Sequence, residues 1–157
     1  MSINYLQKDD LENLFFKQLS KIKFERLGLA VSGGGDSIAL LMLSDKWAEI
    51  KKKKLFVSTV NHKLRKESSE EAIFVKKLSN KLYHNHDTLE VKNKYIGNLQ
   101  SSAREKRYSL LCKWAKENNI DVVLLGHNLD DQVETIFLRL LRGSGIDGLT
   151  GIYKKKL

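Results

Sequence analysis

Two groups of residues in this 157-residue chain have the types and spacing of a reactive site. The first is Val31-Ser32-Gly33-Gly34-Gly35-Asp36-Ser37, set between the apolar run Leu27-Gly28-Leu29-Ala30 and the helix-like run Ile38-Ala39-Leu40-Leu41-Met42-Leu43. A strand, a glycine-rich turn and a helix start in that order make an anion site. The helix start offers unpaired N–H groups and a partial positive charge, and glycines let the backbone approach an oxyanion with no Cβ in the way. The plainer alternative is a tight strand-to-helix turn capped by Asp36 or Ser37. The second group is Gly126-His127-Asn128-Leu129-Asp130-Asp131-Gln132-Val133-Glu134-Thr135. On a helix Asp131 and Glu134 share a face, and Asp130 and Glu134 are also neighbours. Acidic residues in a first helical turn complement the dipole, so Asp130 has a capping explanation. Three carboxylates together also suit a divalent cation or a cationic substrate.

A repeating scaffold positions these groups. Apolar periodicity predicts a leading helix over Tyr5 to Ile22, with Leu11, Leu14, Phe15 and Leu19 on one face. Strands follow at Glu25 to Val31, Leu55 to Val60, Asp87 to Val91 and Val122 to Leu125. Helices are expected over Asp36 to Ile50, Glu67 to Leu82 (Ala72, Val75, Leu78 and Leu82 inward), Leu99 to Asn118 and Leu129 to Leu141. Alternating strands and helices imply a twisted parallel sheet covered on both faces, a three-layer α/β/α domain with right-handed crossovers. Ligands in such sheets bind at the carboxyl ends of the strands. The Gly33–Gly35 turn, Asn61-His62 and Gly126-His127 all fall at that edge.

Composition narrows the classes. The chain is long enough for one domain with a substantial core. It has no apolar run of membrane-spanning length and no apolar signal core at Met1-Ser2-Ile3-Asn4-Tyr5. The single Cys112 excludes an internal disulfide framework and a cysteine-based zinc cluster. Together these give the expectation of a cytoplasmic protein with no membrane partner. The formal net charge is +9, and Lys supplies 22 of the 28 basic residues. Such an excess can serve phosphate neutralisation on a nucleic acid. It also fits a coding bias in a chain rich in Lys, Asn and Ile and free of Pro. Lys51-Lys52-Lys53-Lys54 reads first as a solvated helix-to-strand loop, and Lys154-Lys155-Lys156 as a terminal charge run.

The glycine-rich turn is not a Walker A loop, because no Lys follows Gly35. It is not a dinucleotide fingerprint, because Ile38 stands where a third Gly belongs. Ser-Gly-Gly-x-Asp-Ser instead resembles the pyrophosphate loop of the ATP pyrophosphatases, or PP-loop ATPases, of the adenine nucleotide alpha hydrolase-like fold. An Asp36 carboxylate beside a triphosphate calls for a bridging cation. Four further segments resemble one branch of that group, tRNA(Ile)-lysidine synthetase. They are Val60-Asn61-His62-Lys63-Leu64-Arg65 with its Glu-rich continuation, Ala103-Arg104-Glu105-Lys106-Arg107-Tyr108, Gly126 to Thr135, and Leu140-Leu141-Arg142-Gly143-Ser144-Gly145. Asn61, Lys63 and Asn128 depart from the branch's commoner Asp, Gly and His.

The resemblance implies a reaction and its parts. ATP adenylates the C2 oxygen of the wobble cytidine of an isoleucine tRNA with a CAU anticodon, releasing pyrophosphate. The ε-amine of free L-lysine then displaces AMP, a ligation that forms lysidine. Ser32, Gly33, Gly34, Gly35, Asp36, Ser37, His62 and His127 would contact ATP, and Asp36 and Asp130 would hold Mg²⁺. Asp131 and Glu134 would bind lysine, and Arg104 would sit near the adenylated intermediate or the tRNA. Arg107, Arg139 and Arg142 read as structural or RNA-facing. Family members continue further than this chain, so the expectation is a single PP-loop domain over 1–157 without its C-terminal edge and tRNA-binding domains. A homodimer is compatible with the sequence. The alternatives are another PP-loop tRNA-modifying enzyme, though thiolation generally uses paired cysteines, and a shortened inactive domain that binds ATP or RNA without turnover.

Overall fold

The computed structural model describes residues 8–63, 67–92, 99–126 and 138–139. Among them the elements run α1 (Lys8–Leu19), β1 (Arg26–Ala30), α2 (Gly35–Lys51), β2 (Lys54–Asn61), α3 (Glu67–Lys81), β3 (Asn85–Glu90), α4 (Leu99–Glu117), β4 (Val122–Leu125) and β5 (Leu138–Arg139). The sheet order is β3-β2-β1-β4-β5. β1 pairs in parallel with β2 and β4, and β2 with β3. Strand order therefore reverses at β1, so a crevice opens between the carboxyl ends of β1 and β4.

Strand alternation divides the core into two layers. Leu27 and Leu29 of β1, Leu55 and Val57 of β2, and Val122 and Leu124 of β4 pack with Leu19, Leu41, Trp47, Ala48 and Val75 of the first three helices. Val123 and Leu125 turn the other way, onto Leu111, Trp114 and Ala115 of α4. β4 is buried along its whole length, which explains its unbroken run of Val and Leu. The three-layer parallel reading therefore holds for the described residues.

Three details differ from the sequence expectation. In α1 the packed residues are Phe15, Phe16 and Leu19, whereas Leu11 and Leu14 are each 46% exposed. The helix turns its aromatic residues toward α2 because they bury more apolar area per residue. β3 begins two residues early, at Asn85, because pairing with Phe56–Asn61 sets its length. Leu138 and Arg139, expected within a helix, form β5 antiparallel to β4, with Arg139 opposite Val122 and Leu138 opposite Val123. The outer edge of β4 otherwise presents unpaired backbone groups, and ladder pairing there outweighs a weak helical period.

Candidate functional site

The glycine-rich loop is held by a side chain inside the helix it precedes. α2 has Gly34 as its N-cap, with no side-chain cap. Capping by Asp36 or Ser37 is thus not how the helix starts. Ser37 turns back instead: its Oγ accepts from the N–H groups of Ser32 and Gly33, both at 3.2 Å, and from Ser32 Oγ at 3.2 Å. It donates to the Gly34 carbonyl at 2.8 Å. Ser37 is 2% exposed, so this knot is internal, while the uncapped first turn leaves helix N–H groups open to an anion. Asp36 lies in that turn and is exposed, favourably placed against the dipole.

Two glycines have steric reasons. Gly33 has φ +98, and a Cβ there would lie 3.2 Å from Glu71 Cβ of α3. A Cβ on Gly126 would come within 3.0 Å of Ser37 Cα and 3.2 Å of Ser37 N. The end of β4 is thus pressed against the start of α2. By contrast, a Cβ on Gly35 meets nothing within 4 Å.

A cleft of about 280 Å³ opens at this edge. Its floor is Ala30, Val31, Thr59, Val60, Leu125 and Gly126, from the ends of three adjacent strands. Its polar rim is Ser32, His62, Ser68, Glu71 and Arg107. Asn61, 4% exposed, ties β2 to α3: its Nδ2 donates to Ser69 Oγ at 3.2 Å and its Oδ1 accepts from the Lys63 N–H at 2.9 Å. That brace positions His62. Lys63 has φ +51, the left-handed region that favours glycine. Burial holds the His62 pKa below its ordinary value, and the Arg107 charge pushes the same way. His62 is thereby kept neutral near pH 7, able to accept or donate one hydrogen bond.

Ser32 and His62 of the expected ATP contacts line this cleft. Gly33, Gly34, Gly35, Asp36 and Ser37 form the adjoining loop and helix start. Arg104 is exposed, its guanidinium 5.4 Å from the centroid of the Tyr108 ring on the same helix; it is not among the cleft-lining residues, whereas Arg107 is. Thr59, Ser68 and Glu71 were absent from the expected set. Their signal was topological: Thr59 stands two residues before the end of β2, and Ser68 and Glu71 lie in the first five residues of the helix that follows it. His127, Asp130, Asp131, Glu134 and Arg142, and the side chain of Arg139, lie outside the described residues. Among the described residues no three acidic, His or Cys side chains group as a metal site. Asp36 is a hard oxygen donor of the kind Mg²⁺ prefers, and it stands beside a cationic helix end, so the residues present fit a cation carried in with a phosphate ligand. Among the described residues no helix is long and apolar enough to cross a membrane.

Residues 7–157 match the model of the PP-loop domain. The chain is 44% identical over 154 residues to a tRNA(Ile)-lysidine synthase of Wolbachia pipientis wMel, and 42% identical over 149 residues to one of Ruegeria pomeroyi. Each alignment covers 94% of this chain and 36% of the relative, so the chain spans about a third of the length of these curated relatives. Among solved structures, the U34-tRNA thiolase NcsA of Methanococcus maripaludis superposes with a TM-score of 0.63 at 19% identity, covering 79% of this chain and 48% of that one. An NMN synthetase of Francisella tularensis gives 0.55 at 16% identity, covering 76% and 52%. These two likenesses are of fold. A glycine loop tied by Ser37 at a helix start, a cleft at the strand-order reversal and a family match over residues 7–157 converge: this chain belongs to the PP-loop domain family.

Proposed function

We propose that this domain binds ATP in the cleft and uses it to ligate lysine to C2 of the wobble cytidine of isoleucine tRNA with a CAU anticodon. The observation that carries the reading is identity of 42–44% to tRNA(Ile)-lysidine synthases over nearly all of this chain. The site supports it. The loop from Ser32 to Ser37 and the open first turn of α2 suit a triphosphate. Asp36, with Asp130, would hold Mg²⁺, whose charge would offset repulsion between the carboxylate and the phosphates. In the first step the C2 oxygen of the cytidine bonds to the α-phosphorus and pyrophosphate leaves. In the second the uncharged ε-amine of lysine bonds to C2, its proton is lost, and AMP leaves with the oxygen. Asp131 and Glu134 would bind the amino acid as paired carboxylates, and His127 would contact the nucleotide. Arg107 on the rim would meet the charge that builds on the nucleotide, with Arg104 further out toward RNA. Thiolation by paired cysteines finds no second thiol in these 157 residues.

The test is a calorimetric titration with ATP and Mg²⁺ of the parent and Asp36→Ala, followed by mass analysis of an isoleucine tRNA transcript incubated with ATP and lysine. Saturable binding lost in the variant, and a cytidine heavier by a lysine residue, are expected. A cooperatively folded parent that binds no ATP would refute the reading. Binding without modification would leave a nucleotide-binding domain without turnover.

A further inference from the structure

The opposite edge of the sheet carries a feature that the cleft does not use. A groove of about 650 Å³ runs between the C-terminal ends of α2 and α3 and the starts of β2 and β3. Lys52, Lys53 and Lys54 line one side, and Lys81, Tyr83 and His84 the other. The fold thus joins a lysine run to a second basic and aromatic segment thirty residues further along the chain. Two of the groove's neighbouring carboxylates are engaged: Asp45 Oδ1 lies 2.7 Å from His84 Nε2, and Glu25 Oε2 accepts from Lys53 Nζ at 3.0 Å. Glu49 also lines the groove. Among the described residues Lys52, Lys54 and Lys81 make no ion pair, and all three are exposed.

Helix-dipole compensation accounts for Lys51 and Lys81, each in the last turn of its helix. It does not account for Lys54, which opens a strand. Nor does it account for Tyr83, whose ring is presented on a left-handed turn at φ +60 and is 96% exposed. A bulky aromatic residue in that backbone region costs free energy, and here it recovers none by burial. Exposed lysines around a presented aromatic ring suit a nucleic-acid strand: cations for phosphates and a flat face for a base. The exposed Lys76 and Lys77 on α3 extend the charge from the groove toward the cleft end.

We propose that this groove is a second RNA contact, gripping the backbone of the substrate with a base laid on Tyr83. The proposal rests on the RNA substrate of the preceding reading and adds where that RNA is held. β2 spans the sheet from groove to cleft in eight residues, about 25 Å at ~3.3 Å per residue, a distance that one short RNA helix covers. A hairpin with its loop at the cleft would run its stem along the β3 edge and lay its unpaired terminal base on Tyr83.

The test uses the 157-residue chain and a labelled RNA hairpin with a CAU loop, with affinity read by anisotropy across a salt series. Lys52→Ala/Lys54→Ala/Lys81→Ala is expected to flatten the slope of log K against log salt by about 2–3, the effect of losing three phosphate contacts. Tyr83→Asn keeps a residue tolerant of positive φ and removes the ring. It is expected to weaken binding about five-fold or more, as loss of one stacked base does. Titration with ATP and Mg²⁺ should be unchanged in both variants, which reports an intact fold and cleft. Parent-like salt slopes and affinities in both variants would overturn the proposal, as would a parent that does not bind the hairpin. Displacement of the hairpin by a poly-glutamate peptide of equal charge, at equal concentration, would overturn the RNA assignment in favour of acidic protein. A parent that binds the hairpin through the groove but binds no ATP would sink the ligase reading and leave the groove standing.

Discussion

Glycine-to-alanine substitution around the loop separates what the fold needs from what a ligand needs. At Gly126 the added Cβ would sit 3.0 Å from Ser37 Cα, 3.2 Å from Ser37 N and 3.3 Å from the Asp36 carbonyl carbon. All three are backbone atoms of the start of α2, so no side chain can swing aside. Contact at ordinary separation requires β4 or α2 to move by several tenths of an ångström. Overpacking of this kind costs roughly 1–3 kcal/mol, which in a chain of this size lowers Tm by roughly 2–12 °C. Gly33→Ala places an L side chain at φ +98 with Glu71 Cβ 3.2 Å away, at a cost of about 1–2 kcal/mol. Gly35→Ala meets nothing within 4 Å and occupies the first position of α2. There it should leave stability unchanged or raise it by about 0.4–1 kcal/mol through the unfolded chain. If Gly35 is kept bare for close approach of phosphate, the same variant should bind ATP more weakly while melting no lower than the parent. Thermal and urea unfolding read the stability order, and calorimetry reads the ligand. A Gly126→Ala protein with parental Tm and urea midpoint would refute the claim that β4 is pressed against the helix start.

Further outcomes follow from the same contacts. Ser37→Ala removes the acceptor for the Ser32 and Gly33 N–H groups and should cost about 1–3 kcal/mol together with ATP affinity; retention of both would show that the loop holds its shape without the knot. Asp87→Ala leaves the Trp114 indole N–H, now 2.8 Å from Asp87 Oδ2, without its acceptor in a residue 3% exposed. A loss of about 1–3 kcal/mol in urea unfolding is expected, and no loss would remove the link between α4 and β3 from the account. His62 should titrate below its ordinary 6.5, and Arg107→Met should move the midpoint upward, because burial and then Arg107 depress it. For a base depressed in the fold, both states are neutral well above 6.5. Stability falls as pH drops through that value, where the unfolded chain takes the proton first. NMR titration of the imidazole protons checks the shift, and an unmoved midpoint in Arg107→Met would remove Arg107 from the neighbourhood of His62.

The architecture and the glycine-rich loop were legible in the amino-acid sequence because they rest on local chemistry. Strand and helix periods differ, glycine marks the turn, and a parallel sheet follows once strands and helices alternate. Those rules place the Gly33–Gly35 turn, His62 and Gly126 at one edge. They did not reveal that Ser37 is the knot and not the cap, since that depends on how the loop folds back over five residues. Nor did they tell Arg104 from Arg107: two arginines three apart on a helix differ only in which one the helix rotates toward the cleft, and Arg107 is the one that lines it. They gave Glu71 no role, because its nearness to Gly33 arises only when α3 packs beside the loop. Periodicity, propensity and motif spacing act between residues close in sequence, so the chain carries them openly. Helix rotation, the Gly126–Ser37 contact and the joining of Lys52–Lys54 to Tyr83 depend on packing between distant segments, and only the tertiary structure decided them.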